Sequence, residues 1–169
     1  MSTTSGTYTT VFGSLDHYDK GGVHVIDDDP KFYAFSNVFE VASRAAPYEK
    51  VAVGQNLEYV LEAIRADGTS GWRAAPHDEF ALVMDGEVTV ELRDPPAPLV
   101  DPTAHGSIGV DGDPGGAPMG TLVLRRGHMG LLPAGACYRF VAPTPSVVLL
   151  QTIAGPDTVF KWSEICQTV

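Results

Sequence analysis

His77, Asp78 and Glu79 stand consecutively in "WRAAPHDEFALVMDG", directly before an apolar run that ends at Gly86. An imidazole and two carboxylates can hold a divalent metal or pass a proton, provided the backbone aims them at one point. On an extended chain, residues two apart share a face. His77 and Glu79 would then point the same way, and Asp78 the other way, toward solvent or an interface. His128, in "GHMGLLPAGACYRF", is the third side chain that could join them, so His77, Glu79 and His128 form the candidate ligand set of a rearranged metal site. The plainer expectation for His77 is a hydrogen-bonded histidine near a strand end. His17, His24 and His105 show no partner spacing.

The elements that must position these residues read as short strands, because Gly and Pro clusters punctuate β-branched and aromatic runs. Strands are expected at "TYTTVFG", "GGVHVI", "SNVFEVA", "EKVAVG", "EFALVMDG", "EVTVEL", "GTLVLRR", "GHMGLLP", "CYRFVA" and "SVVLLQTI". In "VTVEL", Val88, Val90 and Leu92 fall on one face and Thr89 and Glu91 on the other, the mark of a strand with one buried side. "NLEYVLEAIRADG" fits a helix through Leu57, Leu61 and Ile64 and also fits a strand. The terminal "DTVFKWSEICQTV" predicts a helix capped by Asp157, with Val159, Trp162, Ile165 and Cys166 on one face. Residues 93–120, rich in Pro, Gly and Asp, predict a long surface loop, and residues 1–35 an N-terminal arm.

A chain of 169 residues is long enough for one self-sufficient core, so residues 1–169 are expected to form a single all-β domain. With 21 acidic against 11 basic residues, the net charge of −10 would repel nucleic-acid phosphates and anionic membranes. The sequence shows no apolar run near the roughly 18 residues that a membrane span needs. It also shows no basic stretch followed by an apolar one at the N-terminus, the mark of a secretory signal. Cys137 and Cys166 form no paired motif, which suits a reducing cytoplasm and two small buried thiols.

Two stretches carry a resemblance. "EFALVMDGEVTVEL" runs from Glu79 through a turn at Gly86 into a second strand, and "GHMGLLPAGACYRF" runs from Gly127 through Pro133 and Gly135 to Tyr138. Together they resemble the paired motifs of the cupin superfamily, which implies a small antiparallel β-barrel of the jelly-roll type. In metal-binding cupins two histidines precede the first motif's Glu and a third closes the second motif. With Glu79 on that Glu, the first two positions are held by Arg73 and Ala75 or by Trp72 and Ala74, and the third by Tyr138. One carboxylate of four ligands survives, too few to hold a transition metal. A buried carboxylate without a metal needs other partners. Arg73 is expected to supply the charge and the Tyr138 hydroxyl a hydrogen bond, in a vestigial cluster of Arg73, Glu79 and Tyr138.

A closer resemblance extends over most of the chain. The stretch from "IDDDPKFYAF" to "IRADGTS", with "HDEFALVMDGEVTVEL", "PMGTLVLRRGHMGLLPAGACYRF", "VVLLQTI" and "KWSEIC", resembles the small subunit of two-component hydroquinone 1,2-dioxygenases. The resemblance implies an enzyme that opens hydroquinone with O2 to 4-hydroxymuconic semialdehyde, its Fe(II) held by a large partner subunit in a heterodimer or heterotetramer. It implies a strand for the ambiguous segment after Leu57, and no catalytic or metal-binding residue in this chain. Trp72 and His77 become candidates for a pocket wall or interface. Two other readings stay open: a stand-alone cupin dioxygenase or isomerase using the rearranged site, and a metal-free cupin that binds a small ligand.

Overall fold

The computed structural model describes residues 13–18, 26–28 and 37–161. Among these fall one helix, α1 (Val38–Arg44), and ten strands: β1 (Lys50–Asn56), β2 (Tyr59–Thr69), β3 (Trp72–Ala74), β4 (Glu79–Asp85), β5 (Glu87–Asp94), β6 (Ile108–Val110), β7 (Ala117–Arg125), β8 (Met129–Leu132), β9 (Cys137–Ile153) and β10 (Thr158–Val159). β9 is the spine. Its first half pairs with β3 and β5, and its second half with β2 and β4. β7 extends the sheet from β5, and β8 from β4. Because one long strand serves both groups, the strands curl into the antiparallel barrel that the cupin resemblance implies. Its core holds Ile64, Ala81, Val83, Val88, Val90, Leu124, Leu132, Phe140, Val148 and Leu150. No described helix is long and apolar enough to cross a membrane.

"CYRFVA" and "SVVLLQTI", expected as two strands, are one. Pro143 and Pro145 lack the backbone donor a ladder needs, but they fall where Ala66 pairs Ser146 and Gly68 pairs Ala142, so the extra residues bulge outward and pairing resumes beyond them. "SNVFEVA" is a helix and not a strand. Asn37 caps α1 by accepting the Phe39 N–H at 3.0 Å, and the Glu40–Arg44 pair, 2.8 Å apart, spans one turn. The ambiguous segment is strand β2. The expected loop at residues 93–120 is shorter than its composition suggests, since β5 runs to Asp94, β7 starts at Ala117, and β6 pairs with β3 between them.

Asp157 opens no helix, because Thr158 and Val159 pair in parallel with Lys50 and Val51. Trp162 to Val169, Cys166 among them, lie outside the described residues, as do "GGVHV" and nearly all of "TYTTVFG".

Candidate functional site

Glu79 starts β4 opposite Leu132 and is fully buried. Tyr138, one residue into β9 and equally buried, donates its hydroxyl to Glu79 Oε2 at 2.7 Å. Its ring meets Phe140 edge-on at 5.4 Å. Burial, then the Glu79 charge, hold the Tyr138 phenol well above its ordinary range, so it stays a proton donor. The other carboxylate oxygen, Oε1, has no hydrogen-bond partner.

Arg73 does not complete this cluster. Its register on β3, opposite Tyr138, sends the guanidinium to Ser107 O at 2.7 Å, Ser107 Oγ at 3.1 Å and Asp157 at 2.5 Å. The deeper cation is Lys50, only 3% exposed, which donates to Ser107 Oγ at 3.0 Å and lies 3.2 Å from Glu62 Oε2. Glu62 Oε2 is held by this ion pair and by no hydrogen bond, whereas Thr158 donates to Glu62 Oε1 at 2.6 Å. Burial raises the Glu62 carboxyl above the usual carboxylate range, against the pull of Lys50. Ser107 joins the two halves. Its Oγ accepts from both Lys50 and Arg73, and it lies beside the Tyr138 hydroxyl. The result is a buried polar cluster in which Lys50 and Arg73 meet at Ser107 next to the Tyr138–Glu79 pair.

Lys50, Glu62 and Ser107 carry no motif signal. The single cue was a lysine set against the apolar run of "EKVAVG"; Ser107 sits in the segment expected to be an unstructured loop, and the topology alone brings it inward.

The other sequence candidates scatter. A bend at Pro76 and His77 breaks the extended path assumed for "HDE". His77 Nε2 sits 3.0 Å from Thr152 Oγ1 and accepts the Ile153 N–H at 3.3 Å. Asp78 accepts the Ala134 N–H at 2.8 Å, tying β4 to the turn before β9. His128 lies in the β7–β8 turn, its backbone paired with Val83, about 13 Å along β4 from Glu79 at the usual strand rise. His77, Glu79 and His128 are therefore not one ligand set. Among the described residues no group of three or more His, Cys, Asp or Glu side chains is placed to hold a metal ion. One carboxylate is engaged by Tyr138 and its neighbour by Lys50, a donor set that does not fit iron.

Trp72 is buried on β3, with Arg139 Cζ 4.6 Å and Arg93 Cζ 5.3 Å from its ring centroid. It lines a cavity of about 270 Å³ together with Lys50, Arg73, Tyr138, Phe140 and Leu150. Its lining is mostly apolar, with the charges of Lys50, Arg73 and Asp111 among it.

No protein-family model and no curated protein matches the chain. Solved structures do. A chain of hydroquinone 1,2-dioxygenase from Sphingomonas sp. TTNP3, with 4-hydroxybenzoate bound, is 56% identical, with 96% of this chain and 99% of that chain covered and a TM-score of 0.89. This chain belongs to the hydroquinone 1,2-dioxygenase family. A chain of hydroquinone 1,2-dioxygenase PnpCD in complex with Cd2+ and 4-hydroxybenzonitrile is 52% identical, with 98% and 100% covered and a TM-score of 0.88. A longer chain from PnpCD in complex with Fe3+ matches 82% of this chain over 38% of its own length, at 13% identity and a TM-score of 0.59, a likeness of fold alone. PnpCD thus contains two kinds of chain, and both include a barrel of this fold.

Proposed function

We propose that this chain is the small, non-metal-binding subunit of a cytoplasmic, Fe(II)-dependent hydroquinone 1,2-dioxygenase, which opens hydroquinone with O2 to 4-hydroxymuconic semialdehyde. The observation that carries the reading is the identity above one half, over the full length, to chains of two such enzymes. A donor set unfit for iron supports placing the metal in a larger partner, as does the longer barrel-containing chain of PnpCD. When bound there, iron supplies the redox chemistry that lets O2 attack the ring beside a hydroxylated carbon.

The residues of this chain have supporting roles. The Lys50–Ser107–Arg73 contacts tie β1 to β3, and the Tyr138–Glu79 bond beside them ties β9 to β4, in place of a metal. Trp72, its plane held by Arg139 and Arg93, offers a flat wall to an aromatic substrate at the cavity rim. The free buried thiol of Cys137 fits a reducing compartment.

Co-expression with the larger chain, oxygen-uptake assays with hydroquinone and metal analysis of each separated chain test the proposal. Activity should require both chains, and iron should leave with the larger one. Iron that stays with this chain would overturn it.

A further inference from the structure

We propose that the outer face of β2, β9, β4 and β8 is the surface on which this chain seats the barrel of its larger partner, an inference that rests on the two-chain reading above. Directly opposed residues on neighbouring strands share a face. Leu61, Gln151, Phe80 and Leu131 therefore form one outward row across four strands. Tyr59 with Ile153 and Leu82 with Leu149 and Met129 make the rows on either side. Tyr59, Leu61, Phe80, Met129 and Leu131 are well exposed, from 38% at Phe80 to 60% at Met129, and Leu82, Leu149 and Ile153 are half-buried. None of these residues is charged, on a chain that carries 32 acidic and basic side chains (21 + 11).

The rest of the same face shows what a cover does. Val41 and Ala45 of α1 pack over Val51, Val53 and Ala63, while Phe39 and Ala42 pack over Val147, and all of these are buried. The helix stops short of Leu61 and Phe80. Across the barrel, the outer face of β5 and β7 is finished for water, with Glu87 paired to Arg125 at 2.6 Å and Glu91 to Arg139 at 2.5 Å. An apolar half that no described residue covers, beside a helix-covered half, asks for a permanent, uncharged occupant.

The larger chain is the occupant we infer. A sheet face can pack on another sheet at about 10 Å, with strands roughly 30° apart. The longer PnpCD chain carries a barrel of this fold. Four strands at about 4.8 Å spacing, each some six residues long, give a face on the order of 400 Å², about half of the ~800 Å² that each partner buries in a standard interface. That is the size of an apolar interface centre, to which a polar rim adds the remainder. Beside it lies a depression of about 440 Å³, lined by Gly54, Asn56, Tyr59, Leu61 and Gln151, that can receive a projecting side chain.

Co-purification of the tagged larger chain with wild-type, Leu61→Glu, Phe80→Glu and Val123→Glu forms of this chain is the test. Val123, 52% exposed on the water-finished face, is the control. Leu61→Glu and Phe80→Glu should weaken the complex at least a hundredfold and leave the thermal unfolding of this chain alone unchanged, while Val123→Glu assembles normally. Oxidative footprinting of the wild-type complex gives an answer that needs no variant. Met129 should be protected on assembly, and Met119, 50% exposed, should not. Normal assembly of both Glu variants, or a Met129 as reactive as Met119, overturns the surface. A face occupied by a second copy of this chain within the complex overturns the occupant. Failure of the wild-type chains to associate at all overturns the two-chain reading itself.

Discussion

Replacing Tyr138 with Phe removes one oxygen from a fully buried site and leaves the ring in place. Packing against Phe140 is retained and the cavity left is negligible, so the change reports on the hydrogen bond to Glu79. Oε1 already lacks a partner, and the variant leaves the whole carboxylate without a side-chain donor. A hydrogen bond to a charged group contributes about 1.5–3 kcal/mol, and full burial of the carboxylate places the loss at the upper end, near 3 kcal/mol. At roughly 2–4 °C per kcal/mol for a chain of this size, Tm should fall by about 6–12 °C. The assay is thermal unfolding followed by circular dichroism, for Tyr138→Phe, Glu79→Gln and the double variant. With a neutral Gln at position 79, removing the hydroxyl should cost only about 1 kcal/mol, so the cycle should show a coupling of about 2 kcal/mol. Additive single effects, or a Tyr138→Phe loss below about 0.5 kcal/mol, would refute the reasoning.

Gly86 turns β4 into β5 with φ +78°, and a Cβ there would stand 2.2 Å from Ser146 Oγ. Gly86→Ala should lose more than the ~1–2 kcal/mol of the left-handed backbone alone, seen as a lower denaturation midpoint. Burial, and then the charge of Asp67, push the Tyr48 phenol up to about 12. Since the folded value exceeds the unfolded 10, its contribution is complete below pH 10 and lost as pH rises through 12; Tyr48→Phe should flatten that limb of stability and remove a late step from the tyrosinate absorbance titration. In the assembled enzyme, Trp72→Phe should raise KM for hydroquinone by roughly 3–10-fold with kcat within about twofold, as expected for a lost aromatic contact of about 0.5–1.5 kcal/mol. Oxygen-uptake kinetics with an unchanged KM would remove Trp72 from the wall.

The parts of the fold that could be read in advance are those where one local rule acts alone. Val88, Val90 and Leu92 alternate because a pleated strand buries one side, and all three are buried. The Glu79–Tyr138 contact could be anticipated because a strand-turn-strand spacing fixes where each side chain enters the barrel. Reading failed where two rules competed. Val38 and Val41 satisfy strand propensity, yet the Asn37 cap and the Glu40–Arg44 pair make α1. Pro143 and Pro145 end most strands, but a bulge accommodates them in β9. Lys50 and Ser107 are 57 residues apart, and nothing local to either announces their contact. Charge alone points Arg73 toward Glu79, whereas its register on β3 delivers it to Ser107 and Asp157.

Lys50 bears on how the barrel does without metal-binding histidines. A barrel that lost its metal ligands and nothing more would leave Glu79 and Glu62 as two buried negative charges close enough to raise the Glu62 carboxyl, at a cost that burial makes severe. Here Lys50 and Arg73 bring two positive charges to Ser107, beside the Tyr138–Glu79 hydrogen bond. With Asp157 on Arg73, three carboxylates face these two cations, so most of the charge is offset without an ion. A divalent cation at Glu79 would share the interior with Lys50, so histidines at Arg73, Ala75 and Tyr138 would not by themselves recreate a favourable metal site. Lys50 would have to go as well. On the proposed division of labour, the interior of this chain is organised around a lysine instead of an iron, which leaves its outer surfaces for assembly.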